Sequence, residues 1–437
     1  MTAVALLAAA AWREPVEALS PFAEEPFAAL LHSGADGWSY LLRQPAAVLE
    51  GGVPLEALRR LIGPPAPIDP AGPPFQGGVV GLAAYELADH IEPAGMPRSD
   101  WPDLAAARYD ALLAFDNAER RILAIGRGED AGAAQRRAAQ ALTWLDVPAR
   151  QAAGGKLAAR FESRLGDLYE TAAAQVVARI AAGEIFQANI ARAWTGALAP
   201  GVAPFDLFAR LCADSPAPFA AYLRLEDRAL VSNSPERFLR IADRRVQAEP
   251  IKGTRPRGAD PAADAAQAAA LQASSKDRAE NLMIVDLMRN DLSRVCAPGS
   301  VQTPALCDLR SFANVHHLVS VVTGEIVAGV GAADVLAATF PPGSITGAPK
   351  VQAMRVIAGL EPPRGPFYGS LFWAGPDGGF DSSVLIRSIG CTATPDGWRI
   401  EARAGGGIVA DSDPTEERAE TEAKMAAIAK ALLETPA

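Results

Sequence analysis

Apolar side chains recur along this chain at two different spacings. Stretches 165–183, 278–291 and 416–433 carry them in a helix-like pattern. Segments such as APFAAYLRL (217–225), ALVSNS (229–234) and WRIEARAG (398–405) are short and alternating, which predicts strands. ALVSNSPERFLRI reads as a strand, a turn at Ser234-Pro235 and a second strand. Regular strand–helix–strand alternation is missing, so the pattern predicts an α+β (mixed α/β) protein built on large antiparallel sheets.

Residues 1–125 predict mixed structure cut by Pro/Gly loops, the longest being GPPAPIDPAGPPFQGG (63–78). Residues 127–160 combine a helical AAQRRAAQALTWL with a loose ARQAAGGKLA. They mark the expected boundary between an N-terminal region (1–145) and a second region (160–433). The Ala-rich stretch 259–273 predicts a surface loop and helix. At the N-terminus, MTAVALLAAAAWREP has its first charge, Arg13, after the apolar run. That order predicts a first buried strand or helix and not an export signal. No apolar run reaches the ~18 residues needed to span a bilayer, so no membrane partner is expected.

Composition narrows the function. With 49% hydrophobic residues in 437, the chain has ample material for a large core and for roughly two or three domains. A net charge of −10 leaves no basic excess to neutralise phosphates, which argues against nucleic acid as a partner. A local cluster of donors could still hold a small anion. Cys212, Cys296, Cys307 and Cys391 share no metal-type spacing, which predicts a reducing compartment, the cytoplasm, and no disulfide framework.

Two acidic pairs carry the first candidate chemistry. Asp277 and Glu280 stand at i, i+3 on one face of a helix whose other face (Leu282, Ile284, Val285, Leu287, Met288) is apolar. Glu417 and Glu420 repeat the spacing near the start of the last helix. Paired carboxylates from two helices can make an oxygen-rich site for Mg²⁺, which keeps several waters and bridges to an anionic substrate. Solvated faces with i, i+4 pairs such as Glu420–Lys424 are the alternative from spacing alone. FPPGSITGAPK (340–350) and AGGGIVADS (404–412) are glycine-rich. The first is no Walker A, because Ala348-Pro349 precede Lys350. Their backbone amides, with the Thr346 hydroxyl, could hold a carboxylate, and plain turns are the alternative. Lys252, in a loop-like EPIKGTRPRG, could be a nucleophile or a solvated lysine. Glu236 could be a general acid, and His317 a catalytic or a satisfied core histidine.

In order along the chain, GEIFQANIAR (183–192), SNSPERFL (232–239), PIKGTRPRG (250–258), SSKDRAENLMIVDLMRNDLSRV (274–295), FANVHHLVS (312–320), FPPGSITGAPKVQAM (340–354), FYGSLFW (367–373), SVLIRS (383–388) and AGGGIVADSDPTEE (404–417) resemble the chorismate-utilising enzymes. ALLHSG (29–34) and PPFQGGVVGLAAYEL (73–87) resemble that family's aminodeoxychorismate synthases. The resemblance implies a sandwich of antiparallel sheets with surrounding helices and chorismate as substrate. It implies Glu280 and Glu420 as main Mg²⁺ ligands, with Asp277 and Glu417 binding directly or through water. Tyr368, Arg387 and the backbone of Gly406 and Gly407 would hold the enolpyruvyl carboxylate. Arg387 suits that task because its planar fork can bind a carboxylate bidentately. Glu236 would protonate the departing C4 hydroxyl, His317 and Thr346 would line the ring, and Lys424 and Lys350 would support the metal and carboxylate region.

Two positions choose a reaction within the family. Members that add water resemble one another in a lysine base where this chain has Gln187. Anthranilate synthases resemble PIAGT where this chain has PIKGT, so Lys252 implies nucleophilic attack on C2 and amination at C4. The alternatives are anthranilate formation and a non-catalytic regulator on the same fold. Ala188 and Tyr368 depart from more familiar residues, which bears on fine specificity. No Gly-x-Cys-x-Gly stands in the sequence, so ammonia is expected from a separate glutamine amidotransferase subunit. The resemblance also implies a tryptophan pocket near Leu31–Ser33.

Overall fold

The computed structural model describes residues 3–34, 36–49, 55–163, 166–311 and 315–435. Phe312–Asn314 of the FANVHHLVS motif therefore lie outside the described residues. Among the described residues, two antiparallel sheets, one of twelve strands and one of ten, form the framework on which the helices pack. Their inner faces share a core that includes Tyr40, Leu42, Val80, Leu82, Leu112, Leu223 and Leu371. A second core lies under helices on the outer face of the larger sheet, and a third under helices on the outer face of the smaller one. The period of two explains why the central strands read as almost continuously apolar. Leu30, Leu41, Leu113 and Tyr222 face the outer core, and their neighbours Ala29, Leu42, Leu112 and Leu223 face the inner one.

The expected helices are Gly166–Ala181, Ser275–Ser293 and Pro414–Leu433. The N-terminal apolar run is a strand, Ala3–Ala8, half-buried at one end of the larger sheet. Strands from before and after residues 127–160 occur in both sheets. Ala29–His32 pairs with Phe219–Arg224 in the larger one, and Gly78–Ala83 with Ser370–Ala374 in the smaller. Strands of the two regions are thus interleaved within each sheet.

The turn read at Ser234-Pro235 has a larger consequence than a hairpin. Arg228–Ser234 belongs to the larger sheet and Arg237–Ala242 to the smaller, so the chain changes sheets at Pro235-Glu236. Its partner changes sheets alongside it, from Phe380–Val384 to Ser388–Thr394. The two crossings are tied together, since Asn233 N donates to Arg387 O at 3.1 Å and Val384 N to Glu236 O at 3.1 Å. Tyr368 joins them through its own N–H, which donates to Leu385 O at 2.9 Å. Arg387 and Tyr368 both have positive φ, 50° and 65°, the local strain that these crossings require.

A buried polar network braces the same place. Arg364, 2% exposed, pairs with Glu361 at 3.0 Å, donates to Ile345 O at 3.0 Å and Asn189 O at 2.7 Å, and stacks its guanidinium 4.6 Å from the Tyr368 ring. Glu86 accepts from the N–H groups of Arg364 and Gly365. Breaking such a pair leaves a buried charge unanswered, so Arg364→Met is expected to destabilise the fold by about 3–5 kcal/mol, measured by urea unfolding.

Candidate active site

Lys252 stands on the strand Ile251–Pro256, not in the loop expected from its Pro- and Gly-rich surroundings. The register against Val315–Glu325 slips between Lys252 and Thr254, a bulge with Gly253 at φ 79°. Bulges redirect side chains, and this one needs glycine twice over. A Cβ on Gly253 would lie 3.0 Å from Asp277 Cβ and 2.9 Å from Leu271. The close approach brings Lys252 Nζ to 3.6 Å from Glu280 Oε2.

Ser275–Ser293 begins with the Ser274 hydroxyl accepting from Asp277 N. Its buried stripe is Asn281, Ile284, Val285, Met288 and Leu292. Leu282, placed on the apolar face by sequence, is 46% exposed because the stripe follows positions 281, 284, 285 and 288. Asn281 fills that role, donating to Leu318 O and accepting from Ser320. Asp277 and Glu280 lie one turn before Asn281 and Ile284 on the same side of the helix, not opposite its apolar face as the sequence suggests, and there Asp277 meets Arg255 at 3.2 Å.

The second acidic pair comes from Pro414–Leu433, which packs on the larger sheet, so each helix brings carboxylates from a different layer. Glu417 is buried, accepts from Ser412 Oγ at 2.8 Å, and faces Lys276 of the other helix at 3.9 Å. Lys276 is thus the link between the two acidic helices, and sequence reasoning missed it. Burial raises the Glu417 carboxyl above its ordinary range. At Glu420 burial works the same way but is overcome by Lys424, 2.6 Å away, with Lys252 and Lys276 behind it, and the carboxyl falls below its usual range.

Gly405, Gly406 and Gly407 lie inside the strand Gly397–Ile408, paired with Gln187–Leu198, and not in a loop. Their missing side chains make room. A Cβ on Gly406 would lie 2.6 Å from Glu417 Oε2, and one on Gly407 2.8 Å from Gln187 Nε2. Lys424 Nζ donates to Gly405 O at 2.8 Å and so spans helix and strand. Gln187 is fully buried with neither amide atom bonded, and the buried Tyr368 hydroxyl is equally unbonded. Burial drives the Tyr368 phenol far above its ordinary pKa, so it stays a donor.

Glu236, at the sheet crossing, is 7% exposed, and the Ser344 hydroxyl donates to its Oε1 at 3.0 Å. Burial pushes its pKa up to about 7, against the opposing influence of Ser344 and the charges of Lys252 and Lys424. An acid so placed holds its proton near neutral pH. His317 Nδ1 bonds the Thr254 hydroxyl at 2.9 Å, and burial, with a contribution from the charge of Arg387, lowers its pKa and keeps the ring neutral. Arg387 faces no carboxylate among the described residues, so its fork is uncommitted. The buried Thr346 hydroxyl donates to Pro342 O at 3.0 Å.

Lys350 has a different task from the one expected. It donates to Asp291 Oδ2 and to Thr339 O at 2.8 Å, locking its loop to the far end of the Ser275–Ser293 helix. At Leu31–Ser33, His32 bonds Ser39 at 2.9 Å and Ser33 accepts from Asn117 at 3.0 Å.

Among the described residues, no three acidic, imidazole or thiol groups converge into a ready metal cage. The donor set is nonetheless all oxygen, offered from two facing helices, and suits a hard cation that takes one or two carboxylates and completes its shell with water and substrate. No helix among the described residues is long and apolar enough to cross a membrane.

A family model for chorismate binding enzymes matches residues 27–430. Aminodeoxychorismate synthase component 1 of Klebsiella aerogenes is 38% identical over 436 residues, covering 92% of this chain and 93% of that protein. Anthranilate synthase component 1 of Streptomyces coelicolor is 39% identical, covering 91% and 81%. The crystal structure of anthranilate synthase component I from Streptococcus pneumoniae superposes with a TM-score of 0.80 at 26% identity, covering 91% of this chain and 93% of that one. With a match running through nearly its whole length, the chain belongs to the family of chorismate binding enzymes.

Proposed function

We propose that this protein is the chorismate-aminating subunit of an aminodeoxychorismate synthase, converting chorismate and ammonia to 4-amino-4-deoxychorismate for p-aminobenzoate and folate synthesis. The observation that carries the reading is Lys252, an amine held 3.6 Å from Glu280 and within electrostatic reach of Glu236. High similarity to an aminodeoxychorismate synthase component over nearly the full chain supports it.

The reaction begins with the neutral Lys252 amine attacking C2 of chorismate. The C1–C2 double bond moves to C1–C6, the C5–C6 double bond moves to C4–C5, and the C4 hydroxyl departs as water with the proton of Glu236. Glu236 is then a carboxylate. Ammonia adds at C4, the double bonds return, and Lys252 leaves from C2. The surplus proton on nitrogen restores the acid. Arg387 and the Tyr368 hydroxyl orient the enolpyruvyl carboxylate, while His317 and Thr346 pack beside the ring. A bound Mg²⁺, held by Glu280 and Glu420 with Asp277 and Glu417 directly or through water, would supply electrostatic stabilisation at the ring carboxylate. Gln187 is no base, so water is not activated in its place. The ammonia source is a glutamine amidotransferase partner.

The test is to incubate the protein with chorismate, Mg²⁺ and high ammonium and to separate products by chromatography with mass detection. The expected result is a product of aminochorismate mass that yields p-aminobenzoate only after a lyase is added. Fluorescent anthranilate with released pyruvate would instead assign the chain to anthranilate synthesis, the reaction named for its Streptomyces coelicolor relative.

A further inference from the structure

We propose that Ser344 is a positioning residue for the acid step, fixing the Glu236 proton on Oε2, the oxygen that delivers it to the departing hydroxyl. The inference rests on the reading of Glu236 as the acid. Its basis is a hydrogen bond between two buried groups, Ser344 Oγ to Glu236 Oε1, at 3.0 Å. Among the described residues, the Ser344 hydroxyl has no other acceptor. It therefore donates to Oε1 whether Glu236 is a carboxylate or an acid, and an acid proton belongs on the opposite oxygen.

Both partners are held by their surroundings. The Glu236 N–H donates to Ser234 Oγ at 3.2 Å, and its carbonyl accepts from Val384 N at 3.1 Å. Around Ser344, Arg364 donates to Ile345 O at 3.0 Å, Asn189 N to Thr346 O at 2.7 Å, and the Thr346 hydroxyl to Pro342 O at 3.0 Å. A serine anchored on both flanks selects one carboxyl oxygen with little freedom to follow the other. Preorganisation of this kind is what makes a catalytic hydrogen bond effective. The neutral donor also favours the ionised carboxyl, so its loss moves the acid's titration upward.

The experiment compares Ser344→Ala, Ser344→Thr and Glu236→Gln with the unaltered protein, following kcat and KM for chorismate against pH at constant free ammonia. Turnover requires protonated Glu236, so its loss on the alkaline side reports that carboxyl. For Ser344→Ala, kcat is expected to fall roughly tenfold or more with KM within about twofold, and the alkaline limb to move up by about one pH unit. Ser344→Thr, which keeps the hydroxyl, should return the limb to its original position. Should the alanine variant fail to fold, Ser344→Cys, a weaker donor, is expected to give a smaller upward shift. An unmoved limb in a folded alanine or cysteine variant, with Glu236→Gln inactive, overturns the role of Ser344 and leaves the acid in place. Full activity in Glu236→Gln overturns the acid reading and this inference with it.

Discussion

Lys252→Ala is expected to lower formation of the aminated product on the order of a thousandfold or more, because the detour through a lysine adduct disappears while binding groups remain. Chorismate affinity should change little, since Arg387, Tyr368 and the glycine strand are untouched. A direct check uses mass spectrometry of the intact protein quenched with acid after mixing with chorismate in the absence of ammonia. The unaltered protein should carry an adduct of chorismate less one water, and the alanine variant none. A variant that aminates C4 at the original rate would show that the lysine is not the nucleophile. Its contact with Glu280 would then be a simple ion pair.

Glu236→Gln should produce two effects of opposite sign. Without an acid at the leaving hydroxyl, turnover is expected to fall by about 10²–10⁴. Stability should move the other way at alkaline pH. The folded carboxyl titrates at about 7 against an ordinary value of 4.5. Between those values the unfolded chain has released its proton and the folded protein still holds it. Folding therefore becomes less favourable as pH rises through that window, and the loss is complete above it. A shift of this size corresponds to about 3 kcal/mol. Glutamine carries no such titration, so the variant should melt higher than the unaltered protein near about pH 8, with the difference shrinking towards about pH 5. Equal differences at both pH values would mean that Glu236 is ionised throughout. A carboxyl costly to the fold and necessary to the reaction is a common compromise at active sites.

Much of this arrangement is legible in the sequence. The helices carrying the acidic pairs follow from apolar spacing, and the sheet change at Pro235-Glu236 begins at the turn that Ser234-Pro235 predicts. What was not legible depends on distant partners. Lys252 looks like a loop residue because proline and glycine surround it, but Val315–Glu325 makes it a strand. Gly405–Gly407 resemble a turn until their pairing with Gln187–Leu198 is seen. Lys350 sits in a motif full of candidate ligands, yet Asp291, far off in sequence, claims it. Ser344 and Lys276 do not stand out in the sequence, because a serine in a glycine loop and a lysine on a charged helix are ordinary. Only the carboxylates opposite them, Glu236 and Glu417, give them a role.

The interleaving of early and late strands bears on how the molecule comes to exist. Ala29–His32 cannot complete its pairing until Phe219–Arg224 has been made, nor Gly78–Ala83 until Ser370–Ala374 has emerged. During synthesis, the first third of the chain must leave apolar strands with open edges waiting for partners. High sequence separation between contacts slows folding, and waiting edges invite pairing with other chains. Gly406, Glu417 and Glu420 all arrive in the last tenth of the chain. A nascent or truncated chain would therefore lack both the completed sheet and the acidic helix, and activity should appear only with the final segment.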